Sequence, residues 1–168
     1  MPQSVARALL AIERRTTALS LWCACFMLVV AAIAGLYQIV SRFIIEQPAE
    51  WSEVTIRIAL IWMVFLAIPM AFREGAMVCV DLLYRKSGPG FRRVLDTLTA
   101  VCGLLLIAVM IWFGSEYAWR TRFQTIPGIE ELTVIWAYAA MPVGGLFSVL
   151  AILAQWFDPR RNELDTAQ

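Results

Sequence analysis

The stretch EWSEVTIR places two carboxylates, Glu50 and Glu53, and the guanidinium of Arg57 directly before the apolar run IALIWMVFLAIPMAF. At the mouth of a membrane helix such groups can ligate a transported ion, hold a partner protein, or cap the helix. Capping accounts for much of the pattern: Pro48 suits a first helical position, and acids in the first turns meet the favourable end of the helix dipole. Glu53 and Arg57 stand four apart with the acid first, the better order for a helical ion pair, although such a pair contributes only about 0.2–0.5 kcal/mol in water. Near lipid the pairing matters more, because an uncompensated arginine costs about 2.5–3.5 kcal/mol at the centre of a bilayer and less toward its edge. Trp51 suits the headgroup belt, whereas Trp62 must face lipid or another helix. Bracing of the helix and partner binding both stay open on these residues, ahead of direct substrate binding.

The other side chains narrow the chemistry. The sequence contains no histidine, which excludes imidazole ligation of haem, histidine-based metal sites and histidine general-base catalysis. Cys23, Cys25, Cys79 and Cys102 form no CxxC pair and read as small packing residues rather than a metal or disulfide site. With 14 basic and 13 acidic residues and no clustered cationic face, a nucleic-acid partner is excluded too. No catalytic, cofactor-binding or metal-binding set emerges, so the chain is not expected to be an enzyme.

The elements that position these residues follow from hydropathy. A hydrophobic fraction of 61% against 16% charged residues, with a mean hydropathy of +0.71, exceeds what a soluble core requires and specifies an integral membrane protein. Four segments approach the roughly 20 apolar residues needed to cross about 30 Å of hydrocarbon. The expected fold is therefore all-α, a single four-helix membrane domain with spans over about 19–40, 54–72, 94–115 and 132–157. The uncharged core of span two, Ile58 to Phe72, covers only about 22 Å as a helix, so it must extend into its charged flanks. Ahead of span one, SVARALLAIERR spaces Val5, Leu9 and Ile12 as one helical face, with Arg7, Arg14 and Arg15 available to phospholipid headgroups. A short interfacial helix or a frayed polar tail is expected there. The A-x-A triplet Ala32-Ile33-Ala34 mimics a signal-peptide cleavage site, but Leu36, Tyr37, Ile39 and Val40 continue the apolar run to spanning length.

Orientation follows from the basic residues. Arg7, Arg14, Arg15, Arg73, Arg85, Lys86, Arg92, Arg93, Arg160 and Arg161 fall on one side of four spans, and Arg42, Arg57, Arg120 and Arg122 on the other. The larger group marks the cytoplasm, with both termini, and leaves EWSEVTIR facing outward. Glu130 and Glu131 are then expected to open span four, acids toward the helix N-terminus. Spans one, three and four carry no ionisable residue near their middle, unlike most autonomous ion-coupled transporters. Pro69 and Pro142 free the carbonyls of Phe65 and Tyr138, and Gly144-Gly145 after Pro142 reads as close helix packing rather than a broken-helix transport site.

In order and spacing these features resemble the small four-helix membrane subunit of tripartite ATP-independent periplasmic (TRAP) transporters, the DctQ-like family. The motifs that carry the resemblance are Trp51-Ser52-Glu53-Val54 at the opening of span two, Arg73-Glu74-Gly75 at its end, Val80-Asp81-Leu82 beyond, and Pro142-Val143-Gly144 in span four. Val54 stands where the family favours a second acid and Met77 where a histidine is frequent, so no family role is carried to those positions. The resemblance implies a partner-binding or structural role for Trp51, Glu53, Arg73, Gly75, Asp81, Pro142 and Gly144, and Arg57 joins this set on its spacing from Glu53 alone. It also implies a static companion, in a bacterial inner membrane, for a large many-spanning subunit that holds the substrate and sodium sites. A periplasmic binding protein would deliver an organic anion, a carboxylate or sulfonate, to the outer face. The rivals are a self-sufficient homo-oligomeric transporter and a quinone-only membrane anchor of an oxidoreductase.

Overall fold

The computed structural model describes residues 3–47, 49–74, 89–126 and 129–157. Four helical segments among them are long and apolar enough to cross a membrane, as the hydropathy pattern requires. Helix α1 runs Gln3–Phe43, α2 Glu50–Glu74 and α3 Pro89–Arg120. Strands β1, Thr125–Ile126, and β2, Ile129–Thr133, pair antiparallel. A single turn, α4 at Ile135–Tyr138, then leads into α5, Ala140–Phe157. Sequence neighbours are not always spatial ones: α1 packs on α2, α2 on α5 and α5 on α3, leaving α1 and α3 on opposite flanks.

Two elements depart from expectation. The N-terminal segment is neither a separate surface helix nor a frayed tail, because α1 is continuous over 41 residues, about 61 Å at the helical rise. No glycine or proline interrupts it before Gly35, and its buried positions keep one register, Glu13, Thr17, Ser20, Ala24, Ala31, Ala34 and Ser41. That spacing of three and four is the seam of a left-handed helix pair. The second departure lies in span four, whose first helical residue is Ile135 rather than a residue near 132. Thr125, Ile126, Ile129 and Thr133 are β-branched and pair as a hairpin, which places Glu130 and Glu131 on a strand instead of in a helical first turn.

The packing is that of a protein built for lipid. Small and hydroxyl-bearing residues fill the interhelical seams, while Trp22, Phe26, Ile33 and Leu36 of α1 and Leu98, Leu105 and Trp112 of α3 point away from the molecule. In hydrocarbon no hydrophobic force draws helices together, so close backbone approach and hydrogen bonds do that work. Helix α5 shows the rule most clearly: Gly144, Gly145, Ser148, Ala151 and Ala154 are all buried. After α1 ends at Phe43, the connection to α2 turns through Glu46, which takes a positive φ of 57°, while the Ser41 hydroxyl donates to the Gln47 carbonyl.

Candidate functional site

The residues singled out by sequence do not converge on one pocket. They form three stations along α2, whose length from Glu53 to Arg73 corresponds to about 30 Å of helix, the thickness of the hydrocarbon.

At one end stands Arg73, the first residue of the R-x-G motif. Its side chain is 4% exposed and its Nε lies 3.3 Å from Oε2 of Glu13, whose side chain is 2% exposed. Thr17 Oγ1 donates to the other carboxylate oxygen of Glu13 at 3.0 Å, and Arg73 Nη1 donates to Gln155 Oε1 at 3.3 Å. One guanidinium thus ties α2 to both α1 and α5. Isolated burial of either charge would be expensive, and the mutual pairing with polar neighbours is what lets both sit inside. Glu13 and Gln155 were missed by sequence reasoning. The available signal was the spacing Glu13, Thr17, Ser20, Ala24, which puts the acid on the small-residue face of the helix. Gly75 and Asp81 lie outside the described residues.

The middle station is organised by Pro69. Lacking an N–H, it frees the carbonyl of Phe65, and Gly144 of α5 approaches that carbonyl so closely that a Cβ on Gly144 would fall 2.8 Å from the Phe65 carbonyl carbon. The neighbouring Leu66 carbonyl accepts the Ser20 hydroxyl of α1 at 2.6 Å. The backbone of α2 in the turn before Pro69 therefore faces both neighbours. On the far side of α5, a Cβ on Gly114 of α3 would meet Met141 Cβ at 2.7 Å and Pro142 Cδ at 3.2 Å. Likewise a Cβ on Gly145 would fall 2.6 Å from Ile111 Cγ1. Pro142-Val143-Gly144-Gly145 is the point where α5 is wedged between α2 and α3, in agreement with the packing role expected of it.

At the other end, Arg57 Nη2 donates to Glu53 Oε1 at 2.9 Å, with the two side chains 72% and 62% exposed. Glu50 and Glu53 occupy the first turn of α2, and Pro48 lies outside the described residues. Trp51 packs its ring 5.2 Å from that of Tyr37 on α1, and the buried Ser52 donates to the Ala49 carbonyl at 2.7 Å. Trp62 faces protein: its Nε1 donates to the Trp136 carbonyl at 2.9 Å, joining α2 to α4. An apolar cavity of about 400 Å³ opens beside this contact, lined by Val54, Ile58, Phe65, Tyr138 and Met141 with Arg57 among them. Chemically the three stations hold helices together. Among the described residues no cluster of His, Cys, Asp and Glu is composed to hold a metal ion.

Sequence comparison decides the family. The profile of the DctQ component of tripartite ATP-independent periplasmic transporters matches residues 31–162, which include α2, α3 and α5 and every motif described above. The chain belongs to the DctQ family. DctQ proteins are transporter components rather than enzymes, and with four spans this one is a multi-pass protein of the inner membrane. The chain is similar to the sialic acid TRAP transporter small permease protein SiaQ of Vibrio cholerae, 26% identical over 122 residues that make up 73% of this chain and 70% of SiaQ. It is also similar to the isethionate TRAP transporter permease protein DctMQ of Oleidesulfovibrio alaskensis, 26% identical over 70% of this chain but 19% of DctMQ. A third relative is the sialic acid TRAP transporter permease protein SiaT of Haemophilus influenzae, 28% identical over 63% of this chain and 17% of SiaT. The chain thus spans most of SiaQ and under one fifth of the two longer permeases.

Proposed function

We propose that this DctQ protein is the static scaffold of a sodium-coupled, binding-protein-dependent transporter for organic anions of the carboxylate or sulfonate class. Its partners would be a large many-spanning subunit, which holds the substrate and sodium sites, and a periplasmic binding protein that docks partly on its outer face. The observation that carries this reading is the DctQ match across residues 31–162. The relatives support it in two ways. SiaQ is a small permease of comparable extent, and DctMQ and SiaT embed the matching region in much longer permeases. The substrates in their names, sialic acid and isethionate, are a carboxylate and a sulfonate. The geometry supports a companion rather than a carrier, since the buried polar groups described above are engaged with one another between helices.

Reconstitution tests the proposal. In liposomes with an imposed sodium gradient, the chain alone should show no uptake from a panel of carboxylates and sulfonates, whereas the chain with its large subunit and binding protein should transport one of them. Robust uptake by the chain alone would establish the self-sufficient transporter instead. The exposed pair Glu53–Arg57 refines the test, because its loss should change the fold of the subunit little. Glu53→Gln should nonetheless lower the yield of co-purified large subunit, and exchanging the two charges should restore part of it. Undiminished complex yield together with abolished uptake in Glu53→Gln, Arg57→Gln and the exchange would assign Glu53 to transport chemistry or to docking of the binding protein.

The distribution of basic residues supports an orientation with both termini and the Arg73 end of α2 in the cytoplasm. With Cys79 as the single retained cysteine, a membrane-impermeant thiol reagent added to intact cells should not label the protein until the membrane is permeabilised. Labelling of intact cells would invert the assignment.

A further inference from the structure

A cleft of about 220 Å³ opens between α1 and α2 at the Arg73 end. Its walls are graded in chemistry. Glu13 and Arg73, 1% and 4% exposed, belong to its lining and neutralise each other at 3.3 Å. Arg14 and Glu74, the next residue along each helix, are exposed and line the same cleft. They carry opposite charges on facing helices, yet among the described residues they form no ion pair with each other. Ala18, Leu21 and Met70 supply the apolar part of the lining. These residues flank the place where the uncharged run of span one begins, near Leu19, and that of span two ends, at Phe72. The cleft therefore sits at the depth of the lipid headgroups, with its apolar side toward the acyl chains.

We propose that this cleft binds the headgroup of a zwitterionic phospholipid, a phosphate diester carrying a primary ammonium. The phosphate would lie against Arg14 and the ammonium against the carboxylate of Glu74, so that the ligand supplies the bridge the two side chains do not make directly. The volume lies below the roughly 300–1,000 Å³ of pockets for drug-sized ligands, which suits a headgroup with its acyl chains outside. An anionic headgroup would satisfy Arg14 but set its charge against Glu74. A quaternary ammonium has no N–H to donate to a carboxylate and is recognised by aromatic faces, and among the described residues no aromatic side chain lines this cleft. The two signs of charge on its described walls favour the primary amine.

The test uses the subunit in complex with its large partner, purified in detergent. Native mass spectrometry would titrate in phosphatidylethanolamine, phosphatidylcholine, phosphatidylglycerol and inorganic phosphate separately. Phosphatidylethanolamine should bind roughly tenfold more tightly than either other lipid, equivalent to about 1.4 kcal/mol. Glu74→Gln should remove its advantage over phosphatidylglycerol, and Arg14→Gln should weaken phosphatidylethanolamine roughly tenfold. Because both side chains are exposed, the variants should fold, and the ranking of lipids on the unaltered protein is a second readout independent of them. Equal binding of the three lipids would overturn the proposal, as would inorganic phosphate binding as tightly as phosphatidylethanolamine, which would mark a simple anion site. Loss of the large subunit on substitution, with lipid ranking unchanged, would likewise overturn it by assigning Arg14 and Glu74 to the protein interface.

Discussion

Glu13→Gln and Arg73→Met should each lower the stability of the subunit by about 3–5 kcal/mol, because each removes one member of a buried ion pair and strands the other. Arg73 is 4% exposed and Glu13 1%, so water is poorly placed to take over the missing partner. The effect should reach beyond the pair. Arg73 also holds Gln155 and Glu13 holds Thr17, so the ends of α1, α2 and α5 should loosen together. The double replacement Glu13→Leu with Arg73→Met should recover much of the loss, since it leaves no charge inside and keeps similar volume. Unfolding titrations in detergent micelles for the two singles and the double would measure the coupling. Purely additive losses would mean that the two charges do not depend on each other and that the pair is not what joins the three helices.

Gly144→Ala should cost toward the upper end of the about 1–3 kcal/mol typical of overpacked sites, and more than the same change at Gly145 or Gly103. The ranking follows from what each new methyl would meet. At Gly144 the obstacle is the backbone of Phe65, with its carbonyl carbon at 2.8 Å, and helix backbone can move only by shifting the helix. At Gly145 the nearest atom, 2.6 Å away, is Cγ1 of Ile111, which can change rotamer. At Gly103 the nearest atoms are side-chain carbons of Ile152 and Phe72 at 3.3 Å, and a few tenths of an ångström relieve them. Thermal unfolding of the three alanine variants in one detergent would test the order. A Gly144 variant as stable as the Gly103 variant would show that the close approach of α5 to α2 is dispensable.

These two sites differ in how far they could be read from the chain. Four spans follow from composition and hydropathy because the bilayer imposes a length, and Pro142-Val143-Gly144 could be read as a packing point because only small residues permit close backbone approach. The partner of Gly144, a carbonyl released by Pro69, needed the register between α2 and α5, which no local pattern encodes. Glu13 was hidden for a related reason. In the run Ile12-Glu13-Arg14-Arg15 it looks like one more headgroup charge, and only the rotation of α1 against α2 turns it inward while Arg14 stays outside. The hairpin was missed because Ile129–Thr133 is short and adjoins an apolar run, so its β-branched residues counted as the start of a helix. The readings of Gly75 and Asp81 concern residues that the structure does not describe. Glu53 and Arg57 form the pair their spacing suggested, and their exposure directs the search for their role outside the subunit.

The spatial order α1, α2, α5, α3 has a consequence for how a solute could pass. Among the described residues α1 also touches α5, but α1 and α3 share no comparable contact, so these helices do not close into the ring that a pore needs. Arg73 pairs with Glu13 of α1 and donates to Gln155 of α5, and the turn before Pro69 is approached from both neighbours, so these helices are tied together as a partition wall. Under the proposed scaffold role, cargo would move alongside this wall, and the subunit would serve transport by holding still.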